Sequence, residues 1–200
     1  MEAVLYALSG FLMKLSDDAH DKRNNTIFAI FAGLLCVACI AYLAVTSADA
    51  ATIFIAILIG NFLSWKVDSI NHMVSFIILM GILIILGIPT IGIITLAVCT
   101  AAAFLDEIGN DNPWVSRHGK VLEFFFDHRF TLKIAVLLFA VLGIFQTVFP
   151  ALKIPGVQYF QFQTFIYFLF FEICYEIAGL KFDTIYDGFY HIFRVFSKIN

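Results

Sequence analysis

Residues 26–46 read TIFAIFAGLLCVACIAYLAVT, a stretch without a single charged side chain. A helix needs about 20 consecutive apolar residues to cross the hydrocarbon core of a bilayer, so this stretch predicts a transmembrane helix. Six further apolar segments occur in the chain, and several are shorter than a full crossing. They cover residues 1–15, 51–65, 73–87, 90–105, 131–148 and 159–179. The pattern predicts an all-α, polytopic integral membrane bundle with six or seven transmembrane helices.

The composition supports a membrane protein. Of the 200 residues, 62 % are hydrophobic and 14 % are charged, and the mean hydropathy is +0.94. Soluble domains carry about 25 % charged residues, which they need to cover their surface. No basic tract or zinc-finger spacing predicts nucleic-acid binding. We therefore expect one transmembrane domain over residues 1–200, whose main partner is the lipid bilayer.

The basic residues predict an orientation for seven crossings. If the segments alternate sides, all of the 12 Lys and Arg residues except Lys153 fall on one face. Lysine and arginine accumulate on the cytoplasmic side of membrane proteins. The sequence therefore predicts a multi-pass protein of the cell membrane with its N-terminus outside and its C-terminus in the cytoplasm.

Two stretches on this cytoplasmic face predict amphipathic helices at the membrane interface, residues 113–128 and 181–198. Asn112 is a favourable cap, with Pro113 at the first helical position. In the second stretch, apolar residues recur every three or four positions between charged ones. Such helices would anchor the bundle in the headgroup region or gate a cytoplasmic cavity.

Acidic residues stand at the cytoplasmic ends of three segments, where the helix dipole disfavours carboxylates. Asp17, Asp18 and Asp21 form a D-D-x-x-D motif, Asp68 follows the third segment, and Asp106 and Glu107 follow the fifth. Clustered carboxylates repel one another unless a cation, a basic side chain or solvent compensates them. Mg²⁺ prefers oxygen ligands and often joins one or two carboxylates to a substrate phosphate. These acids are therefore candidate ligands of Mg²⁺, and the alternative is a solvated loop.

Four basic residues near these acids are candidate phosphate ligands: Lys14, Lys22, Arg23 and Lys66. In the seventh segment, Glu172 and Glu176 are four residues apart on one helix face and are predicted to form a buried acidic pair. His20 and His72 lie close to the aspartates and would suit proton transfer or a transition metal.

Three functions fit these patterns. The first is a Mg²⁺-dependent membrane enzyme acting on a lipid or isoprenoid (di)phosphate, with Asp17, Asp18, Asp21 and Asp68 as catalytic residues. The second is a cation transporter or channel that uses carboxylates from alternate helices. The third is a non-catalytic membrane scaffold. Acids around a shallow cavity beside an apolar groove would favour the enzyme, and acids along a path across the bilayer would favour transport.

Overall fold

The computed structural model describes residues 1–110, 112–151 and 153–197, with the side chains of all of these except 116 and 190–197. Within these ranges all regular structure is helical. The ten helices are α1 (Glu2–Asp21), α2 (Thr26–Thr46), α3 (Ala48–Leu63), α4 (Ile70–Leu86), α5 (Ile93–Asn110), α6 (Pro113–His118), α7 (Lys120–Asp127), α8 (Phe130–Val148), α9 (Phe162–Leu180) and α10 (Phe182–Ser197).

Four helices are long and apolar enough to cross a membrane: α2, α5, α8 and α9. Helices α3 and α4 are apolar but shorter, and α1 carries charged residues in its last two turns. The prediction of an all-helical protein is confirmed for the described residues, and four of its helices have the length and composition of membrane spans.

Six helices form a closed ring. In order around the ring they are α1, α2, α3, α5, α8 and α9, and α9 packs back against α1, while α4 packs against α2. The α1–α9 contact is very close, because a Cβ atom on Gly10 would lie 2.0 Å from the carbonyl oxygen of Phe171. Only glycine permits this approach, so Gly10 sets the spacing of the ring at this contact.

Consecutive long helices run in opposite directions, which gives the bundle two ends. We call the polar end the one where α1, α3, α5 and α9 finish and where α2, α4 and α8 begin; the far end is the opposite one. Aromatic side chains fill the interior of the ring. The ring of Phe54 lies 5.2 Å from that of Tyr6 and 5.6 Å from that of Phe171. The cavity that forms the candidate site lies toward the polar end.

Several local expectations agree with the structure, and some boundaries differ. The Asn112 side chain accepts a hydrogen bond from the Trp114 N–H, with Pro113 in the first turn. The single helix expected over 113–128 is instead two helices, because Gly119 adopts φ 138° and interrupts it. Helix α1 continues to Asp21 rather than ending near residue 15. For the amphipathic helix expected at 181–198, the backbone is helical through Ser197, but the side chains of 190–197 and the whole of residue 198 lie outside the described residues.

Candidate functional site: a cavity with a charged mouth

A cavity of about 440 Å³ opens at the polar end of the bundle. Its walls come from α1, α2, α3, α4, α5 and α9, together with the α3–α4 loop and the turn before α8. Ionisable side chains line its mouth: Lys14, Asp17, Asp21, Lys66, Asp68, His72, Glu107, Arg129 and Tyr175. Apolar side chains line its interior, including Val37, Ile40, Phe54, Ile57, Leu58 and Leu79. The cavity is therefore amphipathic, with charge at one end and hydrocarbon at the other.

The depth of the cavity follows from the helix geometry. Helix α2 begins at the polar end with Thr26, and Ile40 still lines the cavity. At 1.5 Å per residue, Ile40 lies roughly 20 Å along the helix from Thr26. On the opposite wall, Phe54 lies roughly 14 Å before the end of α3 at Leu63. The apolar part of the cavity thus extends well into the bundle.

The D-D-x-x-D motif is divided between two environments. Asp17 and Asp21 line the cavity, whereas Asp18 is 2 % exposed and faces away from it. Successive helical residues point about 100° apart, and residues four apart share a face, so the spacing itself separates Asp18 from the other two. Asp18 accepts ion pairs from Lys14, at 3.1 Å, and from Lys22, at 2.8 Å. Its carboxylate is compensated by the protein, and its position is structural.

Asp17 is held by two neighbours at the mouth. Its Oδ1 lies 2.8 Å from Nε2 of His72, and its Oδ2 lies 3.4 Å from the Tyr175 hydroxyl. The other ring nitrogen of His72, Nδ1, lies 3.0 Å from the carbonyl oxygen of Lys66. A carbonyl and an ionised carboxylate only accept hydrogen bonds. Donation from both ring nitrogens, to the Asp17 carboxylate and the Lys66 carbonyl, is the pattern of an imidazolium, and this arrangement favours that form of His72.

The charge on His72 has a clear physical origin. Burial alone would lower the pKa of the imidazole, but the hydrogen bond to Asp17, the charges of Asp17 and Asp68 and the contact with the Lys66 carbonyl raise the pKa of His72 above its ordinary value. His72 therefore ties the α3–α4 loop, α4 and α1 together across the mouth of the cavity.

Arg129 forms the opposite side of the mouth. Its guanidinium donates to the Tyr175 hydroxyl at 3.2 Å, pairs with Glu107 at 3.3 Å and lies 4.6 Å from the centre of the Tyr175 ring. The residue immediately precedes α8 and has φ 49°, an uncommon left-handed conformation for a non-glycine residue. Burial alone would lower the pKa of Arg129, but Tyr175, Glu107, Glu172 and Asp17 raise it further above its ordinary range. Arg129 is a permanent cation at this wall.

Other predicted site residues lie away from the cavity. The exposed Arg23 pairs with Asp183 at 2.9 Å and with Asp187 at 3.3 Å, and so joins α10 to the end of α1. Asp106 accepts hydrogen bonds from the backbone N–H groups of Thr131 and Leu132, at 3.0 and 2.8 Å, and caps the start of α8. Lys22, Arg23 and Asp106 were predicted from sequence as site residues. In the structure they contact other parts of the protein and do not line the large cavity.

The expected acidic pair on α9 is also divided. Glu172 is 4 % exposed and pairs through Oε2 with Lys133 of α8 at 2.6 Å. Glu176 is half-buried one turn later and lines neither this cavity nor the smaller one described below. Burial of Glu172 was expected, and its basic partner on α8 explains how the charge is accommodated.

Four carboxylates at the mouth of the cavity are candidate ligands for a metal ion. Asp21 and Asp68 are both exposed and line the cavity, beside Asp17 and Glu107, which already have His72 and Arg129 as partners. Within the described part of the chain, no group of three or more His, Cys, Asp or Glu side chains is arranged to hold a metal ion by itself. A divalent cation here would need oxygen ligands from a substrate as well as from the protein.

Sequence reasoning did not single out Tyr175 or Arg129 as site residues. Tyr175 lies three residues after Glu172, on the same helix face, and Arg129 stands directly before an apolar segment. A polar residue at either position is a weak sequence signal. Tyr175 reaches Asp17, and Arg129 reaches Glu107, only when the helices are assembled into the ring.

The chain matches no known family model, no curated protein and no solved structure. The fold and the site define it as an all-helical protein with four helices able to cross a membrane and an amphipathic cavity at one end.

Proposed function

We propose that this chain is a multi-pass membrane enzyme whose cavity binds a lipid or isoprenoid (di)phosphate, with the polar end in the cytoplasm. One observation carries the proposal: a single cavity joins a mouth lined with charged groups to an apolar interior. An amphiphile with an anionic headgroup and a hydrocarbon chain has the same division of chemistry. The volume of about 440 Å³ lies within the usual range for small-molecule sites, about 300–1,000 Å³.

The headgroup would lie among the basic side chains of the mouth. Lys14, Lys66 and Arg129 all line it, and ammonium and guanidinium groups both bind phosphate oxygens through charge-assisted hydrogen bonds. Arg129 is already oriented by Tyr175 and Glu107, so little conformational entropy would be lost when it binds a phosphate. These contacts would give the site its preference for an anionic headgroup.

Mg²⁺ would enter together with the substrate. Asp21 and Asp68 would supply carboxylate oxygens, and the substrate phosphates would supply others, which is the usual way that Mg²⁺ is bound at phosphate-handling sites. This arrangement is consistent with the protein not forming a three-residue metal site from its described side chains. The metal would neutralise the phosphate and stabilise a leaving phosphate or diphosphate.

The hydrocarbon chain would occupy the space between α2 and α3. Val37 and Ile40 on one side and Ile57 and Leu58 on the other form apolar walls, and Phe54 is fixed from behind by Tyr6 and Phe171. These aromatic contacts would hold Phe54 in place at the inner end of the cavity, where it would limit how far a hydrocarbon chain can extend.

The two alternatives fit less well. A cation path would need carboxylates that connect the polar end with the far end, but among the acids that the structure describes only Glu2 and Asp49 belong to the far end. Asp49 there accepts three hydrogen bonds, from Gln158, Thr164 and the Gln161 N–H. A scaffold would not require a deep apolar cavity behind its polar surface.

The test measures separately how the headgroup, the hydrocarbon chain and the metal contribute to binding. Binding of farnesyl diphosphate, farnesol and inorganic diphosphate to the detergent-purified protein would be measured with Mg²⁺ and with EDTA. We expect farnesyl diphosphate to bind tightest, and only with Mg²⁺, because both ends of the cavity are then occupied. Product formation from farnesyl diphosphate would be followed by ³¹P NMR.

Asp21→Asn and Asp68→Asn test the metal ligands, with Asp183→Asn as the control because Asp183 is an exposed acid outside the cavity. The first two variants should weaken Mg²⁺-dependent binding by about tenfold or more, and the control should bind like wild type. Equal binding of farnesol and farnesyl diphosphate would reject the headgroup site, and binding without product would reject the enzyme while leaving a lipid-phosphate site.

A further inference from the structure

A second, much smaller cavity lies behind the wall formed by Glu107 and Arg129. Its volume is about 10 Å³, and its polar lining consists of Asn61, Asp106, Glu107, Arg129 and Glu172. A space of this size accommodates about one water molecule or one small ion. We call it the inner chamber. The inner chamber shares Ile57, Asn61, Glu107 and Arg129 with the large cavity and differs from it in its polar lining by Asp106 and Glu172, which do not line the large cavity.

Two buried oxygens of the inner chamber have no hydrogen-bond partner among the described residues. They are Oε1 of Glu172 and Oδ1 of Asn61. The other oxygen of Glu172 pairs with Lys133, and both oxygens of Asp106 accept backbone N–H groups. An unpaired buried carboxylate oxygen is costly, and such groups nearly always have a partner in native proteins. The chamber therefore presents the unpaired Glu172 oxygen to a further ligand, and the unpaired Asn61 oxygen belongs to a residue that lines both the chamber and the large cavity.

The charges around the chamber indicate the nature of that group. Three carboxylates meet there, from Asp106, Glu107 and Glu172, and two cations pair with them, Arg129 and Lys133. The formal charge of the cluster is therefore −1, and the two N–H groups at the start of α8 offset part of it at Asp106. A monovalent cation would balance this charge, whereas a divalent cation would leave the cluster with a net positive charge.

We propose that the inner chamber binds one monovalent cation, for which Na⁺ has a suitable size, between Glu172 Oε1 and Asn61 Oδ1. The carboxylate and the amide oxygen are both hard ligands of the kind that Na⁺ accepts. The bound cation would fix Glu172 and the Glu107–Arg129 pair, and so would hold one wall of the large cavity. This inference does not depend on the function proposed for the large cavity, because it concerns the ion alone.

The test uses the whole protein and salts only. Thermal unfolding midpoints would be compared in NaCl, KCl and choline chloride at one ionic strength, without lipid phosphate or divalent ions. A ligand that binds only the folded state raises the midpoint as its concentration rises. We expect the midpoint in NaCl to exceed that in choline chloride by about 5 °C, and the difference to vanish in Glu172→Gln.

Glu176→Gln is the matched control, because Glu176 lies one turn along the same helix and outside the chamber; it should keep the full response to Na⁺. If Glu172→Gln does not fold, Asn61→Ala removes the other oxygen and should reduce the response. Equal midpoints of the wild type in NaCl and choline chloride would overturn the proposal and assign the chamber to a water molecule. An undiminished response to Na⁺ in Glu172→Gln or Asn61→Ala would overturn it as well.

Discussion

The far end and the polar end of the bundle differ in the surroundings of their carboxylates. At the far end, Asp49 accepts hydrogen bonds from Gln158 Nε2, the Gln161 N–H and Thr164 Oγ1, at 2.7, 2.9 and 2.9 Å. Asp49 thus joins α3 to the α8–α9 loop and the start of α9. Gln158 in turn accepts hydrogen bonds from Thr52, Thr95 and the Gly92 N–H, which join the same loop to α3 and α5. At the polar end, Asp21 and Asp68 line an open cavity instead.

The difference separates acids that stabilise the fold from acids that remain available to a ligand. An acid whose oxygens are saturated by donors contributes to stability, and its removal should be costly. An exposed acid at the mouth of a cavity contributes little to stability, and its removal should affect binding. Glu172 and Asp106 at the polar end are also buried and have partners within the protein, Lys133 for one Glu172 oxygen and two backbone N–H groups for Asp106, so removing these contacts should also destabilise the fold.

The largest loss of stability is expected for Lys133→Met. This change leaves Glu172 buried without its basic partner, and breaking a buried ion pair by removing one side costs about 3–5 kcal/mol. Urea or SDS titration of the purified protein measures the free energy of unfolding. Arg23→Met is the control, since its pairs with Asp183 and Asp187 are exposed and should contribute less than about 1 kcal/mol. Similar losses in both variants would contradict the distinction between buried and exposed pairs.

Asp49→Ala should be the next most destabilising change, by about 2–3 kcal/mol. It removes the acceptor of three hydrogen bonds and leaves their donors without a partner. Asp68→Ala is the matched change at the polar end and should alter the free energy of unfolding by less than about 0.5 kcal/mol. If the two variants unfold alike, the contrast between the two ends does not hold.

Asp106→Ala should destabilise the protein by about 1–2 kcal/mol. The Asp106 carboxylate caps α8 from the neighbouring helix, and the loss of a helix cap has an effect of this size. Asp106→Asn keeps one acceptor oxygen and should recover part of the loss in the same titration. An Asn variant as unstable as the Ala variant would show that the charge of Asp106, rather than the cap, is what matters.

The smallest effect is expected from the titration of His72. The pKa of His72 is raised in the folded protein, so its contribution is fully present below about pH 6.5 and is lost as the pH rises through the higher folded value. Because the side chain is 35 % exposed, the contribution should be well under about 1 kcal/mol. The unfolding midpoint should therefore fall slightly more between pH 6 and pH 9 in wild type than in His72→Gln. A larger fall in the variant would contradict the imidazolium assignment.

Helix periodicity made part of this site predictable from sequence. The spacing of Asp17 and Asp21 places them on one face, and the same spacing turns Asp18 toward Lys14 and Lys22. The burial of Glu172 followed from its apolar neighbours. The contacts of Tyr175 with Asp17 and of Arg129 with Glu107 did not follow, because they join residues that are far apart in sequence. They depend on the order of helices around the ring, which local patterns do not encode.

The arrangement of the helices in the membrane was also only partly predictable from local sequence patterns. Long apolar stretches such as residues 26–46 correctly predicted helices able to cross a bilayer. The number of crossings and the cytoplasmic position of the polar end remain predictions, since they depend on short helices such as α3 and α4 and on α1, whose last turns are charged.

The most direct test of the central claim is photoaffinity labelling with a prenyl diphosphate that carries a diazirine near the end of its chain. The labelled residues would be located by mass spectrometry. The account predicts labels on the cavity walls at residues 36–40 of α2 and 54–58 of α3, and their loss when excess farnesyl diphosphate, but not farnesol, is added with Mg²⁺. Labels concentrated on outward-facing residues such as Ile84 and Ile85, which are 76 % and 81 % exposed, or labels that farnesyl diphosphate does not displace, would contradict it.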